Sequence, residues 1–154
     1  MSEFSSHSWL MLRRALHIAS VSAVMAACTS AGASAPLPPR PPVVEVTARE
    51  YRFDHTKAIP RGRVVFELVN VGTKQHRMTL IPLPADLPPL EVQARSKNTR
   101  VVDPQATTTP LAPGGKTSFA TDLGPGRYGL ICIIPVPGGL SHYRQGMVSE
   151  FRVP

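Results

Sequence analysis

Three side chains that can bind a soft metal lie close together near the C-terminus of this 154-residue chain. They are the thiol of Cys132, the imidazole of His142 and the thioether of Met147, and His76 supplies a second imidazole upstream. Thiolate and thioether sulfurs select soft or borderline metals, and two His, one Cys and a weak Met are the ligands of blue-copper electron-transfer sites. The residue types therefore predict a site for one copper ion that can be either Cu(I) or Cu(II).

Short stretches of alternating hydrophobic residues, separated by Pro and Gly, run from residue 43 to the end of the chain. This pattern is typical of an all-β sandwich or barrel. The predicted strands are 43–48, 63–69, 76–81, 116–121, 127–133 and 147–153, with weaker candidates near Tyr51 and Arg100. Prolines interrupt residues 80–113, where we expect an irregular excursion with one short edge strand or a helical turn.

The alternation of side chains along a strand tests whether the proposed ligands can meet. His76 shares a face with the apolar Met78 and Leu80, which we interpret as core residues. Cys132 shares a face with two hydrophobic residues of its own strand, and Met147 with those of the last strand. These ligands can therefore point inward near strand ends, as a metal site at one end of a sandwich requires.

The first 28 residues have the features of an export signal. Arg13 and Arg14 precede a run of small and apolar residues that is too short to span a bilayer. The residues that end at Cys28 resemble the lipobox of bacterial lipoproteins, in which the Cys becomes the lipidated N-terminus, and cleavage near Ala35 is the alternative. The paired arginines also leave a twin-arginine route open, and Met11 could be the true start.

The sequence divides into a signal segment (1–28), a proline-rich linker (29–42) and one folded domain (43–154). The linker is rich in Ser, Ala, Gly and Pro, a composition that favours an extended tether over a packed core. Lipidation at Cys28 would leave Cys132 as a free thiol in an oxidising compartment, where metal binding would protect it. The alternative is a disulfide between the two cysteines, although the tether does nothing to hold them together.

Charge and motif content exclude several classes of function. The formal net charge is +7, but the basic residues are scattered, so no nucleic-acid surface is predicted. An excess of basic over acidic residues favours interaction with an acidic redox partner or with anionic lipid head groups. The chain has no Gly-x-Ser-x-Gly elbow and no phosphate-binding glycine loop. A copper enzyme needs a second His-rich centre, and only His55 remains in the predicted domain, so we expect no enzymatic activity.

Several motifs occur together in the order of a known family. They are Val-Phe-Glu-Leu-Val-Asn-Val-Gly (65–72) before His76, Leu-Ala-Pro-Gly-Gly-Lys (111–116), Pro-Gly-Arg-Tyr-Gly-Leu-Ile-Cys (125–132), and His142 followed by Gly-Met (146–147). Over residues 43–153 the chain thus resembles the cupredoxins, the plastocyanin- and azurin-like type 1 copper proteins, in an exported bacterial lipoprotein form.

The resemblance implies a Greek-key β-sandwich with one type 1 copper site. His76, Cys132 and His142 would be its equatorial ligands and Met147 its axial ligand. The implied function is to carry single electrons between redox partners, with His142 as the exposed edge for electron transfer. We expect a monomer that is anchored to a membrane surface by lipid at Cys28, in the periplasm or another extracytoplasmic space, with a partner that is acidic or membrane-bound.

Two features depart from the family pattern. Nine residues separate Cys132 from His142, more than in small carriers such as plastocyanin and nearer to the ligand loop of copper nitrite reductases. Arg77 follows the first His where many relatives have Asn, and its charge could lower copper affinity or tune the potential. A copper-delivery module and a copper-free binding domain are the alternatives. We interpret His55 and Tyr143 as surface residues.

Overall fold

Eight β-strands form two four-stranded sheets in the part of the chain that the computed structural model describes, residues 38–56, 58–97, 99–100 and 102–154. They are β1 (Val43–Arg49), β2 (Arg52–His55), β3 (Gly62–Asn70), β4 (Thr79–Leu83), β5 (Ala106–Thr107), β6 (Lys116–Leu123), β7 (Gly126–Ile131) and β8 (Val148–Val153). A short helix α1 (Leu90–Arg95) follows β4, and a 3₁₀ helix (Tyr143–Gln145) precedes β8.

The strand order places the chain in two layers. One sheet has the order β2-β1-β3-β6 and the other β5-β4-β7-β8. β1 and β3 run parallel, whereas the other neighbouring strands are antiparallel. The chain therefore passes from one sheet to the other three times, after β3, after β5 and after β6. The predicted all-β sandwich is confirmed.

The main core lies between the two sheets. Val64, Phe66 and Leu68 alternate along β3 and are fully buried. The ring of Phe66 lies 6.0 Å from that of Phe151 on the other sheet, measured between centroids. Burial of each such side chain contributes about 1.5–3 kcal/mol, so period-two alternation is enough to hold the sheets face to face.

A second, smaller core covers the outer face of the β4–β7 sheet. Ile81 and Leu83 of β4 pack there with Leu90 at the start of α1. The approach is close at Gly129 of β7, where an added Cβ would lie 2.3 Å from Leu90 Cδ1. The outer face of this sheet is thus covered in part by apolar side chains, beside an ion pair between Arg127 and Glu150 at 3.1 Å.

The strands that carry the proposed ligands are shorter than predicted. β4 begins after His76, which instead forms an isolated bridge with Leu111. β7 ends just before Cys132, and β8 begins just after Met147. The ligands therefore occupy the loops at the strand ends, where the backbone leaves the ladder.

The excursion between β4 and β6 holds both a helix, α1, and a short edge strand, β5. The weak strand prediction near Arg100 is wrong, because β5 pairs with β4 only at Ala106–Thr107. Arg100 instead forms an ion pair with Asp86 at 2.8 Å. Among the described residues, no helix has the length and apolar character needed to cross a bilayer.

The predicted signal segment 1–28 and its lipidation residue Cys28 lie outside the described residues. The same is true of most of the predicted linker 29–42. These assignments, including the domain boundaries, stay predictions.

Candidate metal centre

Three of the predicted ligand residues meet at one end of the sandwich. His76 and Cys132 are fully buried, and His142 is 3% exposed. One ligand atom from each lies within 4.8 Å of the others. Cys132 Sγ is 3.4 Å from His142 Nδ1, and the two imidazole centroids are 5.1 Å apart. The predicted grouping of these three residues therefore exists in the fold.

The loop after β3 holds His76 in place. His76 and Leu111 exchange backbone hydrogen bonds, with N···O distances of 3.1 and 2.8 Å. Asn70, buried at the end of β3, donates through Nδ2 to the carbonyl oxygens of Lys74 at 2.8 Å and Leu111 at 2.9 Å. Its Oδ1 accepts from the Gly72 amide at 3.0 Å. The Asn-Val-Gly sequence thus fixes the loop that carries the first histidine.

Backbone hydrogen bonds close the long segment between Cys132 and His142. The His142 amide donates to the Ile134 carbonyl at 3.0 Å, and the Met147 amide donates to the His142 carbonyl at 2.9 Å. The Cys132 amide donates in turn to the Met147 carbonyl at 3.2 Å. Gly146, with φ of 96°, ends the 3₁₀ helix in the left-handed conformation that favours glycine. The nine-residue spacer therefore does not separate the two side chains.

The sulfur of Cys132 is surrounded by protein groups that suit a thiolate. Burial raises the pKa of the thiol, and backbone hydrogen bonds from Ile134 and Arg77 and the charge of Arg77 offset only part of this rise. The Arg77 amide lies 3.3 Å from Sγ. Any residue except proline offers this amide, so the Asn-to-Arg departure at this position leaves the main-chain contact to sulfur intact.

The imidazole of His76 is buried without a hydrogen-bond partner for either ring nitrogen among the described residues. Oε1 of Glu50 lies 3.8 Å from Nε2, beyond hydrogen-bond distance. Leaving buried polar atoms unpaired is costly, and a metal ion would satisfy one of them. Burial, followed by repulsion from His142, lowers the pKa of His76, and burial and Lys74 lower the pKa of His142. Both rings are thus held in the neutral form that binds metals.

Comparison with known structures identifies the architecture. Auracyanin from the photosynthetic bacterium Roseiflexus castenholzii has 21% identity and a TM-score of 0.52, covering 75% of this chain and 98% of its own. Auracyanin A, a blue copper protein from the green thermophilic photosynthetic bacterium Chloroflexus aurantiacus, has 18% identity and a TM-score of 0.51, covering 73% and 99%. Rusticyanin from Thiobacillus ferrooxidans has 22% identity and a TM-score of 0.50, covering 73% and 77%. The chain has the cupredoxin fold.

No protein-family model matches the chain, and no curated protein sequence matches it. The shared architecture is therefore visible in three dimensions rather than in overall sequence. Within this cupredoxin fold, the cluster of His76, Cys132 and His142 fits one type 1 copper site. The unpaired nitrogens of His76 and the buried sulfur are the observations that support this fit.

Glu50 adds a carboxylate beside the metal site, which no pattern in the sequence indicated. Its Oε1 accepts from the Thr73 amide at 2.5 Å and hydroxyl at 3.1 Å, and from the Lys74 amide at 3.0 Å. The Thr73 backbone bond is the main reason that the pKa of Glu50 falls to about 2. Oε1 also lies 3.8 Å from His76 Nε2. A Cβ at Gly72 would lie 2.7 Å from this oxygen, so glycine leaves room for the contact.

The backbone of Met147 lies beside the cluster, because it is hydrogen-bonded to both Cys132 and His142. Its side chain is fully buried in the main core. Axial ligation by its thioether stays a prediction. Met78 is fully buried in the same core, in agreement with its interpretation as a core residue.

Three expectations about exposure are wrong. His142 is not an exposed edge, because the ring of Tyr51 meets it edge to face at 5.2 Å between centroids and 77° between planes. Tyr143 is only 8% exposed, because the 3₁₀ helix turns it into the small core beneath α1. His55 is half-buried, since β2 places its Nε2 2.9 Å from Ser149 Oγ on β8.

Proposed function

We propose that this protein is an exported type 1 copper protein that carries single electrons between redox partners. The observation that carries the proposal is the buried group of two imidazoles and one thiol, with both nitrogens of His76 unpaired among the described residues. Its position at one end of a cupredoxin fold supports the same conclusion.

In this proposal His76, Cys132 and His142 are equatorial ligands, and Met147 is the weak axial ligand. Copper, when bound, supplies a one-electron couple between Cu(I) and Cu(II). The chain supplies the rest. Because burial raises the pKa of the Cys132 thiol, the metal-free protein keeps that proton, and binding releases it. The Arg77 amide then stabilises the thiolate.

The same residues limit how far the site changes between oxidation states. His76 is fixed by the bridge to Leu111, and His142 by the backbone bond to Ile134. Burial of the cluster keeps bulk water from the ligands. A site that is held on the ends of paired strands needs little rearrangement when one electron is gained or lost.

The partner is proposed to dock at the metal end. Among the described residues, the exposed large hydrophobic side chains include Val71, Ile133 and Leu140, which lie on the loops that carry the ligands. We propose that these exposed side chains contribute to the contact with the partner. The excess of basic over acidic residues would attract a partner with an acidic surface or an anionic membrane. We propose that the carrier acts as a monomer.

We also propose that lipid at Cys28 anchors the protein to an extracytoplasmic membrane surface. The linker 29–42, extended at about 3.1 Å per residue, would let the domain range over about 40 Å. The variant Cys28→Ser should then leave the membrane fraction, and the wild-type mature chain should carry the mass of the added acyl groups. A wild-type chain cleaved near Ala35 and released without lipid would contradict the anchor.

The visible spectrum of the purified protein with Cu(II) tests the copper function. We expect an intense thiolate-to-copper charge-transfer band that Cys132→Ser abolishes. Cys28→Ser, the same substitution at the other cysteine, is the matched control and should keep the band. A wild-type protein that stays colourless and binds no Cu(II) would refute the electron-carrier proposal. A colourless protein that binds Cu(I) tightly would identify a copper-delivery module instead.

A further inference from the structure

The turn between β1 and β2 contains a residue in an unusual backbone conformation. Arg49 pairs with Arg52, so Glu50 and Tyr51 alone form the turn. Tyr51 has a φ of 59° and is the one non-glycine residue with positive φ among those described. Glycine is the default residue at such a position, and a bulky side chain there is a true outlier. The presence of tyrosine in this conformation therefore points to a specific role for its ring.

The ring of Tyr51 lies against a proposed copper ligand. It meets the imidazole of His142 edge to face at 5.2 Å. The ammonium of Lys74 lies 5.9 Å from the centroid of the same ring, within range of a cation–π contact. His142 sits on a surface loop, yet it is only 3% exposed. The aromatic side chain thus helps to exclude water from a histidine that its loop position would otherwise leave accessible.

Hydrogen bonds and packing hold this turn in position. The carboxylate of Glu50 accepts hydrogen bonds from the amides of Thr73 and Lys74, on the loop that leads to His76. Tyr51 also packs against the main core. One two-residue turn therefore touches the loop of the first histidine through Glu50 and the ring of the second through Tyr51.

We propose that Tyr51 is a positioning residue of the metal site, whose ring covers His142, keeps water from its imidazole and replaces it as the surface that a redox partner meets. The statement about the partner rests on the proposed function. The covering of His142 does not, because it is a property of the metal-free protein.

Chemical modification of the metal-free full-length chain tests the cover directly. Diethyl pyrocarbonate reacts with accessible neutral imidazoles, and mass spectrometry can report its rate at His142, with half-buried His55 as the internal reference. In Tyr51→Gly, which removes the ring and suits the positive φ, the His142 rate should rise at least tenfold relative to that of His55. Tyr51→Phe keeps the ring and should match the wild type. Tyr51→Asn is a second ringless variant, because asparagine tolerates the left-handed conformation.

The reduction potential of the copper-loaded protein gives a second readout. Water admitted beside His142 should stabilise the more highly charged Cu(II), so Tyr51→Gly should have a lower potential, and Tyr51→Phe should restore the wild-type value. Equal His142 modification in all variants would overturn the cover, as would a rise in Tyr51→Phe as large as in Tyr51→Gly. An unchanged potential in Tyr51→Gly would overturn its effect on the metal.

The two proposals fail separately. A wild-type chain that binds no copper refutes the carrier, yet the modification rates of the metal-free protein still decide whether Tyr51 covers His142. A blue wild-type protein whose Tyr51 variants react identically refutes the cover alone.

Discussion

Substitution of Met147 separates its packing from its proposed ligation. The side chain is fully buried in the main core. Met147→Leu nearly conserves volume, so it should lower the free energy of unfolding of the metal-free protein by less than about 1.5 kcal/mol. Met147→Ala leaves a cavity that the two sheets cannot close, and it should cost about 2–5 kcal/mol.

The copper-loaded forms of these variants should behave differently from the metal-free forms. Both substitutions remove the thioether but keep two imidazoles and a thiolate, and the axial bond is weak and long. Copper should therefore still stabilise Met147→Leu, by about 4 kcal/mol when free metal exceeds the dissociation constant a thousandfold. Loss of a sulfur donor disfavours Cu(II) more than Cu(I), so we expect a higher reduction potential.

Urea unfolding of metal-free and loaded protein, together with the reduction potential, measures both effects. Met78→Leu is the matched control, because Met78 is equally buried in the same core and is not a proposed ligand. It should lower stability by a similar small amount and leave the potential unchanged. A Met147→Leu protein with the wild-type potential and spectrum would refute axial ligation. Equal losses for Met147→Leu and Met147→Ala in the metal-free state would refute the packing argument.

Three further substitutions test the loop of His76, the carboxylate of Glu50 and the packing of Gly129 beneath α1. Asn70→Ala leaves backbone groups of the His76 loop unpaired, at about 1–3 kcal/mol each, so a loss below about 0.5 kcal/mol on urea unfolding would contradict its role. Because the pKa of Glu50 lies at about 2 instead of 4.5, its carboxylate stabilises the fold above pH 4.5 and loses this effect as pH falls through 2. Glu50→Gln should therefore flatten the stability profile between these pH values, and Glu91→Gln, on α1, controls for the substitution itself. Gly129→Ala should cost about 1–3 kcal/mol by forcing Leu90 aside, while the copper spectrum stays unchanged; an equal cost in a Leu90→Val background would contradict this cause.

The sheets could be predicted because their physical cause is local. In β3, the alternate residues Val64, Phe66 and Leu68 are apolar and buried, so the period of two specifies both the strand and its inward face. The ends of the ligand strands could not be predicted in the same way. His76 leaves the ladder because its backbone pairs with Leu111, a residue far along the chain, and no periodicity in either segment encodes that pairing.

In the candidate site, too, some residues could be predicted from the sequence and others only from the fold. Cys132, His142 and Met147 stand out in the sequence because they are unusual side chains in one short segment. Glu50 and Tyr51 carry no such signal, since their role depends on the β1–β2 turn lying at the same end as the ligand loops. The sequence predicts only a weak strand near Tyr51, and neither glycine nor asparagine marks the two-residue turn that the structure has there.

In the proposed electron carrier, the cover over His142 would change where electrons pass. An electron carrier with a bare imidazole edge could exchange electrons by direct contact with that ring. Here the ring of Tyr51 covers the imidazole of His142. The exposed Leu140 precedes His142 by two residues in the segment between Cys132 and His142. The extra length of that segment, which does not disturb the grouping of His76, Cys132 and His142, thus adds an exposed apolar residue two positions before the covered histidine. Partner selection would then depend on residues that bind no metal, so the loop and the turn could vary with the partner while the ligand geometry stays constant.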